Sequence, residues 1–459
     1  MRTRHGRLPV VVALAVCAAG AAPAWGNGRP PATSGVYLRP GTPGAIYLRT
    51  TFGLLVSQDD GCSFRWVCEK AIGYGGEFDP KYVITPGGTL FATTFEGLRV
   101  SRDGGCTWAT ATADQAAGAP GRIADLWIDA IDLAPTGDLW VATAESAGLN
   151  DVYHSTDDGV TFQPRGLSSA TVWWKSLEVA PSRPQRVYVT GYQVAPEAAA
   201  FLHRTDDTGA TWTAVPLPAS VVFGATPLVK LAAVDPTNPD HVLLISVGAH
   251  PPAGDRLYRS LDAGATFAEA LVTTEPIKDV VFRGTGAIVV AASGGGTYQA
   301  QGTGAFTALG QATPNAPDAR PPQLGCLVER ADGQLLGCGA NWQPDYMALG
   351  RATEPVAFQK VFRFVELAGP LACPAGTTTH TECEPQWPAL QQQFGATGPA
   401  ATCEGVVPPP IDAPPEPRTP GTAGGCCDAG AGAPADVAAL VGLVGCGLAG
   451  LGRRRRARR

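Results

Sequence analysis

The sequence predicts an all-β fold: a seven-bladed β-propeller of four-stranded antiparallel blades over residues 34–366. The 57 Gly and 41 Pro among 459 residues are typical of many short strands joined by turns. An octapeptide motif occurs five times. A strand–turn–strand pattern occurs seven times at intervals of roughly 40–55 residues, which is the length of one propeller blade.

The five octapeptides share the pattern Ser/Thr-x-Asp-x-Gly-x-Ser/Thr-aromatic. They are SQDDGCSF from Ser57, SRDGGCTW from Ser101, STDDGVTF from Ser155, TDDTGATW from Thr205 and SLDAGATF from Ser260. In such a turn the Asp and Ser/Thr side chains bind backbone N–H groups, the Gly takes a positive φ and the aromatic ring packs beneath. The five aspartates are therefore predicted to be structural: Asp59, Asp103, Asp157, Asp207 and Asp262.

This motif resembles the Asp-box, or BNR repeat, of sialidases, sortilin-type receptor ectodomains and photosystem II assembly-factor-like propellers. The resemblance implies that each box joins the two outer strands of a blade, away from the face that binds ligands. Two further units keep the strand pattern without the box, with Ala300 and Ala352 at the position of its first residue. Each unit starts with its innermost strand, so the ring is expected to close without strand exchange.

Both chain ends carry sorting signals. Basic residues precede an apolar run from Leu8 to Ala22, and Ala22-Pro23-Ala24 is an A-x-A-like cleavage site, which predicts a secretory signal peptide over residues 1–24. A lipoprotein signal at Cys17 is the alternative, but the residue before it fits that signal poorly.

Residues 424–459 combine Cys426 and Cys427, an apolar run from Val437 to Gly452 and a terminal Arg cluster. This tail resembles the myxobacterial sorting tag MYXO-CTERM, which implies a transmembrane sorting helix, processing near the cysteines and retention at the cell surface. An ordinary single-pass helix is the alternative. Arginines after the helix favour a body that faces outward.

Two segments separate the propeller from the tail. Residues 367–405 contain Cys373, Cys383 and Cys403 and a possible short helix in EPQWPALQQQF, and are expected to cap or tie the ring. Residues 406–423 are Pro-rich and predict a semi-extended spacer.

Charge and cysteine content limit the classes of partner. Without the nine arginines and two aspartates of the two ends, 25 basic and 38 acidic residues remain, a balance of −13. This balance disfavours nucleic acid and anionic lipid as partners. Eight of the 12 cysteines lie in the body, as expected for an oxidising compartment. Cys326 and Cys338 lie symmetrically about a turn and are predicted to form a disulfide.

Aromatic side chains on the predicted loops are candidates for ligand binding, because aromatic rings beside carboxylates suit sugar stacking or peptide capture. The candidates are Trp127, Trp173, Trp174, Lys175, Tyr192 and Trp342, with Tyr346 also nearby. Trp174 and Lys175 are expected to point outward. The alternative for Trp127 and Trp173 is that they begin inner strands and pack between blades.

Two functions remain open. The first is a non-enzymatic cell-surface propeller, expected to be a monomer, that binds a glycan, peptide or envelope protein. The second is a secreted sialidase-like or other glycoside hydrolase. Sialidase chemistry needs clustered arginines, but Arg39 is displaced by one residue from the family motif, and no spacing unites Arg122, Arg283 and Arg320. No metal-spaced His/Cys set or phosphate-binding loop occurs, so no cofactor is expected.

Overall fold

The computed structural model describes residues 29–76, 78–221, 227–250, 254–310 and 322–399. Within these residues, 28 strands form seven four-stranded sheets, and each sheet consists of four strands that are consecutive in the chain. All neighbouring strands are antiparallel. The predicted all-β, seven-bladed propeller is confirmed.

The strands are numbered in chain order, four to a blade. Blades 1 to 3 contain β1 (Thr33–Leu38), β2 (Ile46–Thr50), β3 (Gly53–Ser57), β4 (Arg65–Val67), β5 (Tyr82–Ile84), β6 (Leu90–Thr94), β7 (Gly97–Ser101), β8 (Ala109–Thr110), β9 (Ile128–Leu133), β10 (Leu139–Thr143), β11 (Val152–Ser155) and β12 (Gln163–Pro164). Blades 4 and 5 contain β13 (Trp173–Val179), β14 (Val187–Gln193), β15 (Ala199–Thr205), β16 (Thr213–Val215), β17 (Val229–Val234), β18 (Val242–His250), β19 (Gly254–Ser260) and β20 (Ala268–Val272). Blades 6 and 7 contain β21 (Ile277–Phe282), β22 (Ala287–Ala292), β23 (Gly296–Gln301), β24 (Thr307–Leu309), β25 (Cys326–Glu329), β26 (Leu335–Cys338), β27 (Leu349–Ala352) and β28 (Gln359–Phe362).

The ring closes between blade 7 and blade 1 without strand exchange. The inner strands of successive blades contact each other around the ring, and β25 contacts β1. Thr33 Oγ1 donates a hydrogen bond of 2.8 Å to the carbonyl of Ala348. The rings of Phe64 and Phe362 lie 4.5 Å apart. Side-chain contacts across the blade interface therefore hold the ring closed.

The five octapeptides form tight turns between the third and fourth strands of blades 1 to 5. In blade 3, Ser155 Oγ donates to Asp157 Oδ1 at 2.7 Å and accepts from the N–H of Gly159 at 3.0 Å. The N–H of Thr161 donates to Asp157 Oδ1 at 2.9 Å. The same three hydrogen bonds occur in the other four turns. The aspartates thus bind backbone and hydroxyl groups of their own turn.

The residue before the motif glycine also has a positive φ, which the sequence did not predict. The φ values are 60° at Asp60, 58° at Asp158 and 58° at Ala263. Each of these three residues presents its carbonyl oxygen to an arginine of the preceding blade. The three pairs are Arg351 with Asp60, Arg102 with Asp158 and Arg204 with Ala263, at 2.9, 2.8 and 2.7 Å. These turns therefore also join neighbouring blades.

The motif glycine can be tested at Gly159. Its φ is +72°, and an added Cβ would lie 2.5 Å from Phe91 Cε1. Gly159→Ala is expected to lower the free energy of unfolding by about 2–5 kcal/mol, because a left-handed conformation costs ~1–2 kcal/mol and overpacking adds ~1–3 kcal/mol. Gly166→Ala is the control, since Gly166 has φ +73° and open space around it. If urea unfolding showed the same loss of unfolding free energy for both variants, the steric argument would be contradicted.

A C-terminal strap (residues 367–399) follows blade 7 and braces the outer edges of blades 1 and 2. Residues 368–371 run parallel to β4: the N–H of Ala368 donates to the carbonyl of Phe64, and the N–H of Leu371 to that of Trp66, at 2.9 and 2.8 Å. The strap covers the otherwise open edge of blade 1, where unpaired strand groups favour aggregation.

Two disulfides and two short helices fix the strap. Cys373 bonds to Cys106 in the octapeptide turn of blade 2, and Cys383 bonds to Cys68, which precedes α1 (Glu69–Ile72). The helices are α2 (Thr378–Cys383) and α3 (Trp387–Phe394). The N–H of Thr397 then donates to the carbonyl of Val365, at 2.8 Å. The strap ties the ring from outside and does not cover its centre.

The third disulfide joins Cys326 to Cys338 across β25 and β26, as the hairpin pattern predicts. The signal peptide (1–24), the Pro-rich spacer (406–423) and the sorting tail (424–459) with Cys426 and Cys427 lie outside the described residues, as does Cys403. These assignments stay predictions. Among the helices that the structure describes, none is long and apolar enough to span a bilayer.

Candidate binding face

The two ends of the propeller differ in what they carry. The first end, the box face, carries the hairpins between first and second strands and the octapeptide turns. The second end, the loop face, carries the connections between second and third strands and those between blades. The loop face contains the longer and more varied connections, so it is the candidate binding face.

Trp174 and Lys175 do not point outward, so this prediction was wrong. Trp174 is 2% exposed and packs against Gly191, where an added Cβ would lie 2.6 Å from Trp174 Cε3. Lys175 Nζ lies 2.8 Å from Asp129 Oδ2, and both side chains are largely buried. Successive residues of a strand face opposite sides. Trp174 therefore packs between the blades, and Lys175 lies near the axis.

Trp127 and Tyr192 are buried as well, so they do not form the predicted open platform. Trp127 contacts Phe95, with ring centroids 4.8 Å apart. Trp173 is half-buried; its ring lies 5.3 Å from that of Tyr192, and its Nε1 donates to the carbonyl of Glu145 at 2.7 Å. These aromatics join neighbouring connections of the loop face and present little free ring surface.

Trp342 is exposed, unlike the other candidate aromatics. It lies with Tyr346 in the connection between β26 and β27, and the two side chains are 46% and 50% exposed. Phe95 and Leu149 are also exposed on connections between second and third strands. The accessible apolar side chains of these connections therefore lie in blades 2, 3 and 7, and not in blade 4 as predicted.

A set of lysines at the start of the inner strands was missed in the sequence. Four of the six lysines of the chain occupy this position in blades 2, 4, 5 and 6: Lys81, Lys175, Lys230 and Lys278. Lys81, Lys175 and Lys230 line a small cavity with Ser176 and Glu178. Its free space is about that of one water molecule. The sequence does contain a signal for this set, because a lysine stands at the beginning of the inner-strand segment in each of these four units.

Buried carboxyl groups of the inner strands lie near this cavity, in the central channel of the propeller. Asp132 accepts hydrogen bonds from the N–H groups of Val179 and Leu133 at 2.7 and 2.8 Å. Burial raises the pKa of Asp132 to about 7, against the lowering effect of these two donors. Burial also raises the pKa of Glu178 well above its usual value, and Asp132 and Asp279 add to that rise. The channel therefore holds carboxyl groups that bind protons at mild pH.

This proton binding predicts a pH dependence of stability. A carboxyl whose folded pKa is raised stabilises the fold fully below its unfolded pKa of ~4, and this contribution is lost as the pH rises through the folded pKa. For Asp132 the loss extends from about pH 4, the unfolded pKa, to about pH 7, the folded pKa. The free energy of unfolding is therefore expected to fall from about pH 4 to about pH 7, and Glu178→Gln is expected to reduce this slope. Urea unfolding across this range tests it, with the exposed Glu354→Gln as control; a flat wild-type profile would contradict the assignment.

Among the described residues, the site lacks the cluster of arginines that a sialidase needs. Arg39 donates to the carbonyl of Pro86 on the box face, at 3.0 Å. Arg122 binds backbone carbonyls of its own loop and pairs with Asp125. Arg283 pairs with Glu329 at 3.0 Å. Arg320 lies outside the described residues. The described arginines form no cluster around the channel.

A general acid needs a carboxyl that is protonated near neutral pH and can donate to a leaving group. Burial raises the pKa of Asp132 to about 7 and that of Glu178 well above its usual value, but the adjoining cavity has room for about a water molecule and not for a sugar ring. No three His, Cys, Asp or Glu side chains among the described residues are placed to hold a metal ion.

Comparison with known proteins shows similarity in structure only. No family model matches the chain, and no curated protein matches it. YCF48 from Cyanidioschyzon merolae is similar with a TM-score of 0.45 and 14% identity, over 68% of this chain and 93% of that one.

Two glycoside hydrolases are similar as well. The GH74 xyloglucanase from Xanthomonas campestris has a TM-score of 0.39 and 14% identity, over 77% of this chain and 70% of that one. The GH93 α-L-arabinofuranosidase of Fusarium graminearum has a TM-score of 0.36 and 15% identity, over 57% and 87%. At these identities the similarity concerns the propeller architecture and assigns no activity.

Proposed function

We propose that the protein is a non-enzymatic β-propeller that binds a glycan, peptide or envelope protein through its loop face. The observation that carries this proposal is the exposure of Phe95, Leu149, Trp342 and Tyr346 on connections between second and third strands. The exposed aromatic rings among the described residues, Phe95, Trp342 and Tyr346, all lie on this face, whereas the exposed apolar side chains of the octapeptide turns are aliphatic. Exposed aromatic rings are typical of a binding surface.

A glycoside hydrolase on the same scaffold is the less favoured alternative. The small size of the cavity keeps substrates away from the carboxyl groups of the channel, and Arg39, Arg122 and Arg283 are bound to carbonyls and carboxylates elsewhere. The two functions are distinguished by incubating the mature protein with neutral and acidic polysaccharides. Release of reducing sugar that Glu178→Gln abolishes would favour the hydrolase.

The proposed location is the outer cell surface. The predicted signal peptide, the resemblance of the tail to MYXO-CTERM and the disulfides support export, because disulfides persist in oxidising compartments. The hydrogen-bonding pattern of the octapeptide turns supports their assignment as Asp-boxes. Mass spectrometry of the mature C-terminus tests the tail, since recovery of intact Arg459 would exclude processing.

The loop face is tested with a matched pair of variants. Phe95→Ser with Leu149→Ser changes the loop face, whereas Val160→Ser with Leu261→Ser removes exposed apolar side chains from octapeptide turns on the box face. The mature body is applied to a glycan array and used in a pull-down from envelope extract. Loop-face changes, which include Trp342→Ala, are expected to remove the detected ligands. The proposal would be refuted if the box-face variant alone failed to bind the detected ligands.

A further inference from the structure

The connection between β26 and β27 (residues 339–348) holds two exposed aromatic rings in a fixed position. Asp345 Oδ2 accepts from the N–H groups of Gln323 and Ala340, both at 2.9 Å. The N–H of Tyr346 donates to the carbonyl of Trp342 at 2.8 Å. Tyr346 has a φ of +52°, a conformation that a bulky residue adopts only when its surroundings impose it. The rings are therefore ordered before any ligand arrives.

A buried aromatic group supports the connection from below. Trp342 packs edge-on against Phe364, with ring centroids 5.8 Å apart. Phe364 in turn contacts Phe52 of blade 1 and Phe394 of α3, each at 5.1 Å. Asn341 Oδ1 accepts from the N–H of Phe364 at 2.7 Å. Preorganised side chains lose little conformational entropy on binding, which favours affinity.

The side chain of Arg363 adds a positive charge beside Tyr346. The guanidinium of Arg363 lies over the ring of Tyr346, with Cζ 5.6 Å from the centroid. Its Nε is buried and has no hydrogen-bond partner within the part of the chain that the structure describes. None of the salt bridges among the described residues includes Arg363. A donor-rich group therefore stands over the partly exposed ring of Tyr346, in the same part of the loop face as Trp342.

We propose that Trp342, Tyr346 and Arg363 form a binding site for a neutral hexose unit of an oligosaccharide. A sugar ring has an apolar C–H face that stacks on aromatic rings, and hydroxyl groups at its edge that accept hydrogen bonds from a guanidinium. This inference rests on the proposed function and names the ligand class of its loop face.

Charge and geometry favour a neutral sugar over other ligands. The acidic balance of the body repels polyanionic glycans at long range. A peptide that binds by extending a sheet needs an open strand edge. The exposed rings lie instead on a connection between strands and not along a strand edge.

Isothermal titration of the mature protein with hexaoses tests the proposal. The probes are neutral hexaoses of β-1,4-glucose, α-1,4-glucose and β-1,4-mannose, with hexagalacturonate and an acidic decapeptide for comparison. At least one neutral hexaose is expected to bind and to change tryptophan fluorescence. Trp342→Ala and Tyr346→Ala are expected to weaken binding by about tenfold or more, and Arg363→Gln by severalfold, with unchanged thermal unfolding.

Leu261→Ala is the matched control, because Leu261 is 51% exposed but lies in an octapeptide turn on the box face. It is expected to leave hexaose affinity unchanged. Binding of hexagalacturonate or the peptide in preference to every neutral hexaose would overturn the inference, as would equal affinity of Trp342→Ala and wild type. If these outcomes occur while Phe95→Ser with Leu149→Ser removes a captured protein ligand, the loop-face proposal stands and the hexose site alone fails.

Discussion

Replacing all four cysteines of the strap disulfides with serine is expected to lower the free energy of unfolding by about 5–10 kcal/mol. The disulfides are Cys68–Cys383 and Cys106–Cys373, with sequence separations of 315 and 267 residues. A disulfide that closes a longer loop restricts the unfolded chain more. The strap also ties blade 7 to blades 1 and 2 across a closure without strand exchange, so its disulfides reinforce the side-chain contacts between these blades.

The two disulfides are expected to act non-additively. With one intact, the other closes a path of only roughly 50 residues through the neighbouring bridge, which follows from their positions. The second removal opens a path of several hundred residues, and so costs about 1.5 kcal/mol more than the first. Urea unfolding of the two single-bridge variants and the combined variant measures this excess.

The hairpin disulfide is the control for this experiment. Cys326–Cys338 closes a loop of 12 residues, and its replacement by serines is expected to cost about 3 kcal/mol or less. If the combined strap variant unfolds no more easily than this control, the strap does not stabilise the ring.

Asp129→Ala is expected to destabilise the protein by about 3–5 kcal/mol, because it leaves buried lysines without the carboxylate they contact. Asp129 is 2% exposed, and its Oδ2 and Oδ1 lie 2.8 Å from Lys175 Nζ and 3.6 Å from Lys81 Nζ. Adding Lys175→Met to Asp129→Ala is expected to recover part of the loss, since it removes one of the two buried cations that the Asp129 carboxylate contacts.

A surface pair provides the comparison. Asp125 is largely exposed and pairs with Arg122 at 2.6 Å. Asp125→Ala is expected to cost at most about 1 kcal/mol. Chemical unfolding of the three variants at neutral pH forms the test. An Asp129→Ala loss as small as that of Asp125→Ala would show that the lysine–aspartate contacts of the channel contribute little.

The blades were predictable because their determinants are local. Each octapeptide turn is fixed by hydrogen bonds among residues at most four positions apart, such as Ser155 with Gly159 and Asp157 with Thr161. The strand order within each blade follows the chain order. Local pattern therefore determined the repeat, its length and the number of blades.

The side chains of the inner strands were not predictable, since their direction depends on bulges. The pairing of β13 with β14 shifts between Trp174 and Ser176. A shift of one residue exchanges the faces of a strand, so sequence spacing alone misplaced Trp174 and Lys175. Trp342 was placed correctly among the exposed aromatics because it follows a strand end and lies in a long connection.

The path of the strap could not be predicted from local sequence patterns either. Eight cysteines allow 105 pairings. The hairpin pair alone has a local signature, whereas Cys68–Cys383 and Cys106–Cys373 join residues that only the closed ring brings together. The arginine contacts with octapeptide carbonyls of the next blade have the same origin.

The strap also determines how the propeller responds to mechanical load. A pull on the chain beyond residue 399 first meets α3 and the short stretch back to Cys383, and then the covalent bond to Cys68. Tension therefore enters the ring at blade 1, while the last strands of the ring, β25 to β28, stay outside the force path. If the protein is held by its C-terminal end in flowing fluid, the load does not separate the strands of blade 7 from the ring.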